Sequence, residues 1–140
     1  MNSGLDVFDN TIQKTTEILK QIESDLDWEN RRNQSYLALR SVLHALRDRL
    51  PVEEAVHLSA QFPLLVKGIF FDGWRPIDVP IKMSRAEFVQ KVAEEFRFDV
   101  AGGIEKVIFS VLNAVFDSLD PSEKIKIEEN LPDDIVGLFY

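Results

Sequence analysis

The chain has 140 residues, 45% of them hydrophobic, with 10 Phe against 6 Gly and 6 Pro, which suits one globular domain with a real core and excludes a disordered or fibrous chain. It has no cysteine, which excludes a disulfide framework and thiolate chemistry and suits a reducing cytoplasm. The net charge of −8 is spread over the whole length (8 basic and 11 acidic residues before Trp74, 8 and 13 from Trp74 on), so no basic arm is present to neutralise nucleic-acid phosphates or an anionic membrane.

In chain order, the start lacks the basic residues and apolar run of a signal peptide, and the first predicted helix opens near Asp6. A second, expected to be the longest, carries Tyr36, Leu39, Leu43, Leu46 and Leu50 at helical spacing. A third starts at Pro51-Val-Glu-Glu and a fourth after Pro63; the apolar run Phe62–Phe71 is too short for a bilayer and is cut by Lys67. Residues 74–83, with Pro76 and Pro80, read as a linker. The fifth helix opens at Ser84, whose hydroxyl and the Glu87 carboxylate have capping-box spacing. The sixth carries Ile104, Ile108, Val111, Val115 and Leu119. The seventh has Asp120 at N-cap, Pro121 at N1 and Glu123 at N3, and the eighth follows Pro132. Strand-like alternation occurs at Lys124-Ile-Lys-Ile127, which the seventh helix absorbs, so no strand is expected.

A shift of 69 residues aligns 40–71 with 109–140 without a gap, with identities at Ser41/Ser110, Val42/Val111, Leu43/Leu112, Ala45/Ala114, Asp48/Asp117, Leu50/Leu119, Glu54/Glu123, Pro63/Pro132, Gly68/Gly137 and Phe70/Phe139. Further upstream, Ile12-Gln-Lys14 matches Val89-Gln-Lys91 at a shift of 77, so the first copy carries about eight extra residues near Ser24–Arg32. The expected fold is all-α: a single domain over 1–140, with eight helices in two four-helix units related by a pseudo-two-fold, the first about 6–73 and the second about 84–140. Gly68 and Gly137 fall inside the fourth helix of each unit, where glycine costs about 1 kcal/mol against alanine, and their recurrence suggests close helix contact.

The runs Ser41-Val-Leu-His-Ala-Leu-Arg-Asp-Arg-Leu-Pro51, Ala60-Gln-Phe-Pro63 and Lys67-Gly-Ile-Phe-Phe-Asp-Gly-Trp-Arg-Pro76 resemble the bacterial family catalogued as domain of unknown function 2267, over nearly the whole chain. The resemblance implies a helical fold and a bacterial cytoplasmic setting, and no activity.

The repeat helps to sort individual residues, since shared positions serve the common architecture and unshared ones are candidates for use. The shared Asp48/Asp117 sits near the C-terminal end of its helix, where the dipole disfavours an acid; it is expected to accept amides at the start of the third helix or to pair with a nearby Arg. Arg40, His44 and Arg47 belong to the first copy alone, form one stripe at i, i+4 and i+7, and correspond to Phe109, Asn113 and Phe116. The stripe is a candidate for an acidic partner or a small anion; the plainer reading is a solvated face paired with acids such as Glu17 or Glu53. By this reading the sixth helix, apolar almost all round, is the buried one.

His44 and His57 have no His or Cys at metal-ligand spacing, and Ser41 near His44 reads as a small packing residue, so no metal, cofactor or catalytic dyad is assigned. The acidic doublets point about 100° apart and read as solvated helix ends. Ile125 and Ile127, like Val56 and Leu58, are two apart on a helix, so one of each pair reaches a surface unless that helix is wedged between neighbours; with Trp74 and Tyr140 these two isoleucines are interface candidates. The function expected is a non-enzymatic soluble helical interaction module that self-associates, with a protein partner or a homo-oligomer as its occupant. The alternative is a small-anion binder or unusual enzyme with a pocket between the units.

Overall fold

The computed structural model describes residues 2–140 and is all-α, with no strand among the described residues. Eight helices follow in order: α1 (Asp6–Leu26), α2 (Arg32–Arg49), α3 (Val52–Ser59), α4 (Leu64–Phe71), α5 (Arg85–Glu95), α6 (Gly103–Phe116), α7 (Pro121–Glu129) and α8 (Asp133–Val136). Short 3₁₀ turns lie at Pro76–Asp78 and Gly137–Phe139. No helix among the described residues is long and apolar enough to cross a membrane.

Local chemistry accounts for the helix ends. Ser84 and Glu87 form the full capping box at the start of α5, and Asp120 accepts the Ser122 amide at the start of α7. α1 ends at Asp27 in the left-handed region (φ 55°), a conformation Asp tolerates because its short polar side chain bonds locally. The following turn is tied by Glu23, which accepts from Arg32 Nε at 2.8 Å and from the Ser35 hydroxyl. α1, at 21 residues, outruns α2 at 18, so the second helix is not the longest of the first four.

α2 touches α1, α4, α5 and α6, while α6 touches α1, α2, α5 and the closing turn. α1 and α5 thus each lie against both central helices, and the apolar side chains form one continuous core. Burial is deepest along α2, where all eight residues from Ser41 to Asp48 are buried. A Cβ at Gly68 would meet nothing within 4 Å, which removes the expectation of a close helix contact there; at Gly137 it would meet the far end of the Arg85 side chain.

Candidate functional site

α4 is a short apolar helix whose last four carbonyls need donors from outside its own ladder. Two come from the chain that follows: the Asp72 amide bonds the Gly68 carbonyl and the Trp74 amide bonds that of Phe71. The other two come from α2. His44 Nε2 donates to the Ile69 carbonyl at 2.8 Å, and Arg47 Nη1 donates to the Phe70 carbonyl at 3.0 Å and to that of Asp72. The basic stripe therefore caps the negative end of a neighbouring helix, where cations are favoured.

The same side chains are matched to acids. Arg40 reaches Glu95 of α5 at 2.9 Å and Asp72 at 2.8 Å. Arg47 Nε bonds Asp48 at 2.9 Å, and Lys91 of α5 approaches the other Asp48 oxygen at 3.1 Å. Asp48 makes the arginine pairing of the two expected alternatives, and no side chain caps α3. Three cations thus face three carboxylates, and the acids are Glu95, Asp72 and Asp48 instead of Glu17 or Glu53. Nor is the stripe a solvated face: His44 and Arg47 are each 6% exposed. Phe109, the α6 residue matching Arg40, is 41% exposed. His44 and Arg47 are buried with carbonyls and carboxylates against their ring and guanidinium nitrogens, which is the condition for burying polar and charged groups, while Arg40 is partly exposed.

His44 stands between two acceptors, with Nδ1 3.1 Å from Glu95 Oε2. Burial is the largest influence on it and pulls it below the ordinary imidazole value, and Arg47 and Arg40 act in the same direction. The Ile69 carbonyl and Glu95 oppose that pull without reversing it. The Asp72 carboxyl is lowered, and the Arg40 guanidinium raised, chiefly by the hydrogen bond between them.

His44 and Arg47 line a shallow cleft of about 260 Å³ with Asp48, Lys91, Glu94 and Glu95, between α2 and α5, while Arg40 lies outside it. Its acids outnumber its cations, which suits an anion poorly. Among the described residues, no group of three or more His, Cys, Asp or Glu converges in a way that could hold a metal ion.

Of the interface candidates, Ile125 and Tyr140 are exposed and flank the same stretch of α7: the Tyr140 hydroxyl bonds Glu128 and Lys124 Nζ lies 4.3 Å from its ring centre. Ile127 is fully buried and belongs to the core; Val56 and Leu58 divide in the same way, outward and inward. α3 and α7 are thus each buried on one side only. Trp74 is half-buried against Phe71, with ring centres 4.8 Å apart.

Sequence reasoning missed a second apolar surface. Phe8 continues the α1 stripe that buries Thr15, Ile18, Leu19 and Ile22, yet it is about half exposed, flanked by exposed Leu5 and Val7. Beside it lie exposed Leu64 and Leu65 of α4, joined to α1 where the Leu65 amide donates to Thr11 Oγ1 at 2.8 Å. The signal was the helical spacing of Leu5 and Phe8 with the rest of α1.

The family model described as uncharacterized conserved protein (DUF2267) matches residues 15–138, and the chain belongs to that family. No curated protein matches the chain.

Proposed function

Membership of a family whose description assigns no activity leaves function to the chemistry of the surface, and we propose that the protein is a non-enzymatic helical interaction module. The observation that carries this reading is the overrun of the α1 apolar stripe beyond the core, at Leu5 and Phe8, beside Leu64 and Leu65. Contiguous exposed apolar side chains of this kind mark partner surfaces. Ile125 and Tyr140 on α7 form a smaller second candidate. The occupant is another protein or a second copy, and the net charge of −8 argues against nucleic acid and anionic membranes.

We further read the domain as a tandem of two four-helix units in a bacterial cytoplasmic protein. In support, α2, α3 and α4 begin at Arg32, Val52 and Leu64, and α6, α7 and α8 at Gly103, Pro121 and Asp133, each within two residues of a shift of 69.

The test pairs Phe8→Ser with Leu64→Ser, follows mass by light scattering and identifies companions captured from the native cell. The double variant should keep its fold, since surface substitutions usually cost no more than about 0.5 kcal/mol, and should lose its companion or its self-association. A wild-type chain that stays monomeric and captures nothing overturns the reading.

A further inference from the structure

α4 is apolar on both of its sides. Val66, Ile69 and Phe70 face inward and are buried. Leu64, Gly68 and Phe71, at i, i+4 and i+7, line the opposite side; the first two are exposed and Phe71 is half-buried. A helix that is hydrophobic all round belongs in an interior, yet this one has a side open to water. Exposed Val7 and Phe8 adjoin it, one turn before the Thr11 hydroxyl that accepts the Leu65 amide.

Gly68 has no packing reason within one copy. Glycine costs stability inside a helix and is kept where another group must come close, but nothing in this chain lies within 4 Å of a Cβ built there. The matching positions of the second unit supply a control. At a shift of 69, Leu64, Gly68 and Phe71 become Asp133, Gly137 and Tyr140. The room beside Gly137 is taken by the Arg85 guanidinium, 2.7 Å from a Cβ built there, and the Arg85 amide bonds Asp134 at 2.9 Å. That side is polar and already covered. The first unit keeps the glycine, has Leu64 and Leu65 in place of Asp133 and Asp134, and leaves the room empty.

Charge and the glycine select the occupant. The chain carries a net −8, so two copies repel each other wherever acids face acids. α4 lacks that obstacle: it holds no Asp or Glu, and Lys67, its one charged residue, forms no ion pair among the described residues. Close approach of two helices needs a small residue on each, and a second copy brings Gly68 again. We propose that the outer side of α4 is a homodimer interface, with the α4 helices of two copies crossing at Gly68 about a two-fold axis. The proposal rests on the interaction-module reading and narrows it to a second copy on one helix.

The experiment follows the mass of the full chain against concentration by analytical ultracentrifugation, beside its helical circular dichroism. The wild type should dimerise, and Gly68→Leu, which adds bulk, and Gly68→Glu, which adds bulk and an acid, should each weaken the dimer about tenfold or more. Both variants should keep the helical signal, since a Cβ at this position meets nothing in the single chain; that separates a contact role from a folding one. A dimer that either variant leaves intact overturns the proposal, and the interaction-module reading then stands on another face. A wild type that stays monomeric but captures a companion from the native cell also overturns the proposal and leaves that reading in place. A monomer that captures nothing overturns both.

Discussion

At positions 40, 44 and 47 α2 carries Arg, His and Arg; at the matching positions 109, 113 and 116 α6 carries Phe, Asn and Phe. Burial does not follow hydropathy. Arg47 is as buried as a core leucine, while Phe109 is 41% exposed. What separates the two helices is what lies beside them. α2 runs past the end of α4, where open carbonyls and Asp72 call for donors and positive charge, and past α5, which supplies Glu95 and Lys91. At the same place on α6, Asn113 turns back on its own helix, bonding the Phe109 carbonyl at 2.9 Å. A helix interior accepts charge when the neighbouring backbone needs it.

The sharpest way to break this comparison is Arg47→Ala. Losing the Asp48 partner and the cap on the Phe70 carbonyl should cost about 3–5 kcal/mol in urea unfolding. Phe116→Ala should cost about as much through a cavity. The conservative variants separate the causes: Phe116→Leu should recover most of the loss, and Arg47→Met, which restores volume without donors, should recover little. A near-native Arg47→Met would mean that the arginine does not hold α4.

A smaller effect is expected from His44→Asn, which places in α2 the residue that α6 has at position 113. It should cost about 1–2 kcal/mol at neutral pH, because asparagine cannot satisfy both the Ile69 carbonyl and the space of the ring. Its pH profile is the sharper readout. The fold holds His44 below the ordinary imidazole value of about 6.5, so the unfolded chain takes up a proton that the folded chain resists. Stability should therefore fall as pH drops from about 7 to about 5, and the variant should flatten that slope. Equal slopes would show that His44 is not the group responsible. The smallest effect belongs to Phe109→Ser, which should cost about 0.5–1 kcal/mol, since this phenylalanine is 41% exposed and only its covered part is lost from packing. A larger loss would mean that it contributes more to packing than its exposure indicates.

The eight helices and two of their caps were legible in the sequence because those signals are local: a serine three residues before a glutamate, or an Asp-Pro pair before a helix. The fate of the stripe was not, because most partners of Arg40, His44 and Arg47 lie 23 to 55 residues away and several are carbonyls, which no sequence pattern displays. One clue was present. α4 ends at Asp72 with no basic residue in its last turn, an arrangement the helix dipole disfavours and that requires cations from elsewhere. The α1 overrun was legible in spacing alone, but its exposure depends on how far the core extends, which is a property of the packed molecule.

The crossed placement of α1 and α5 bears on how the chain is made. α1 (Asp6–Leu26) is synthesised well before α6 (Gly103–Phe116), one of the two central helices it leans on. Until then the oily stripe of α1 is covered only in part, by α2 and α4, and contacts so distant in sequence close slowly. Nascent chains stalled before residue 103 should therefore be sticky and protease-sensitive, and the first half, released early, would emerge without a folded body of its own.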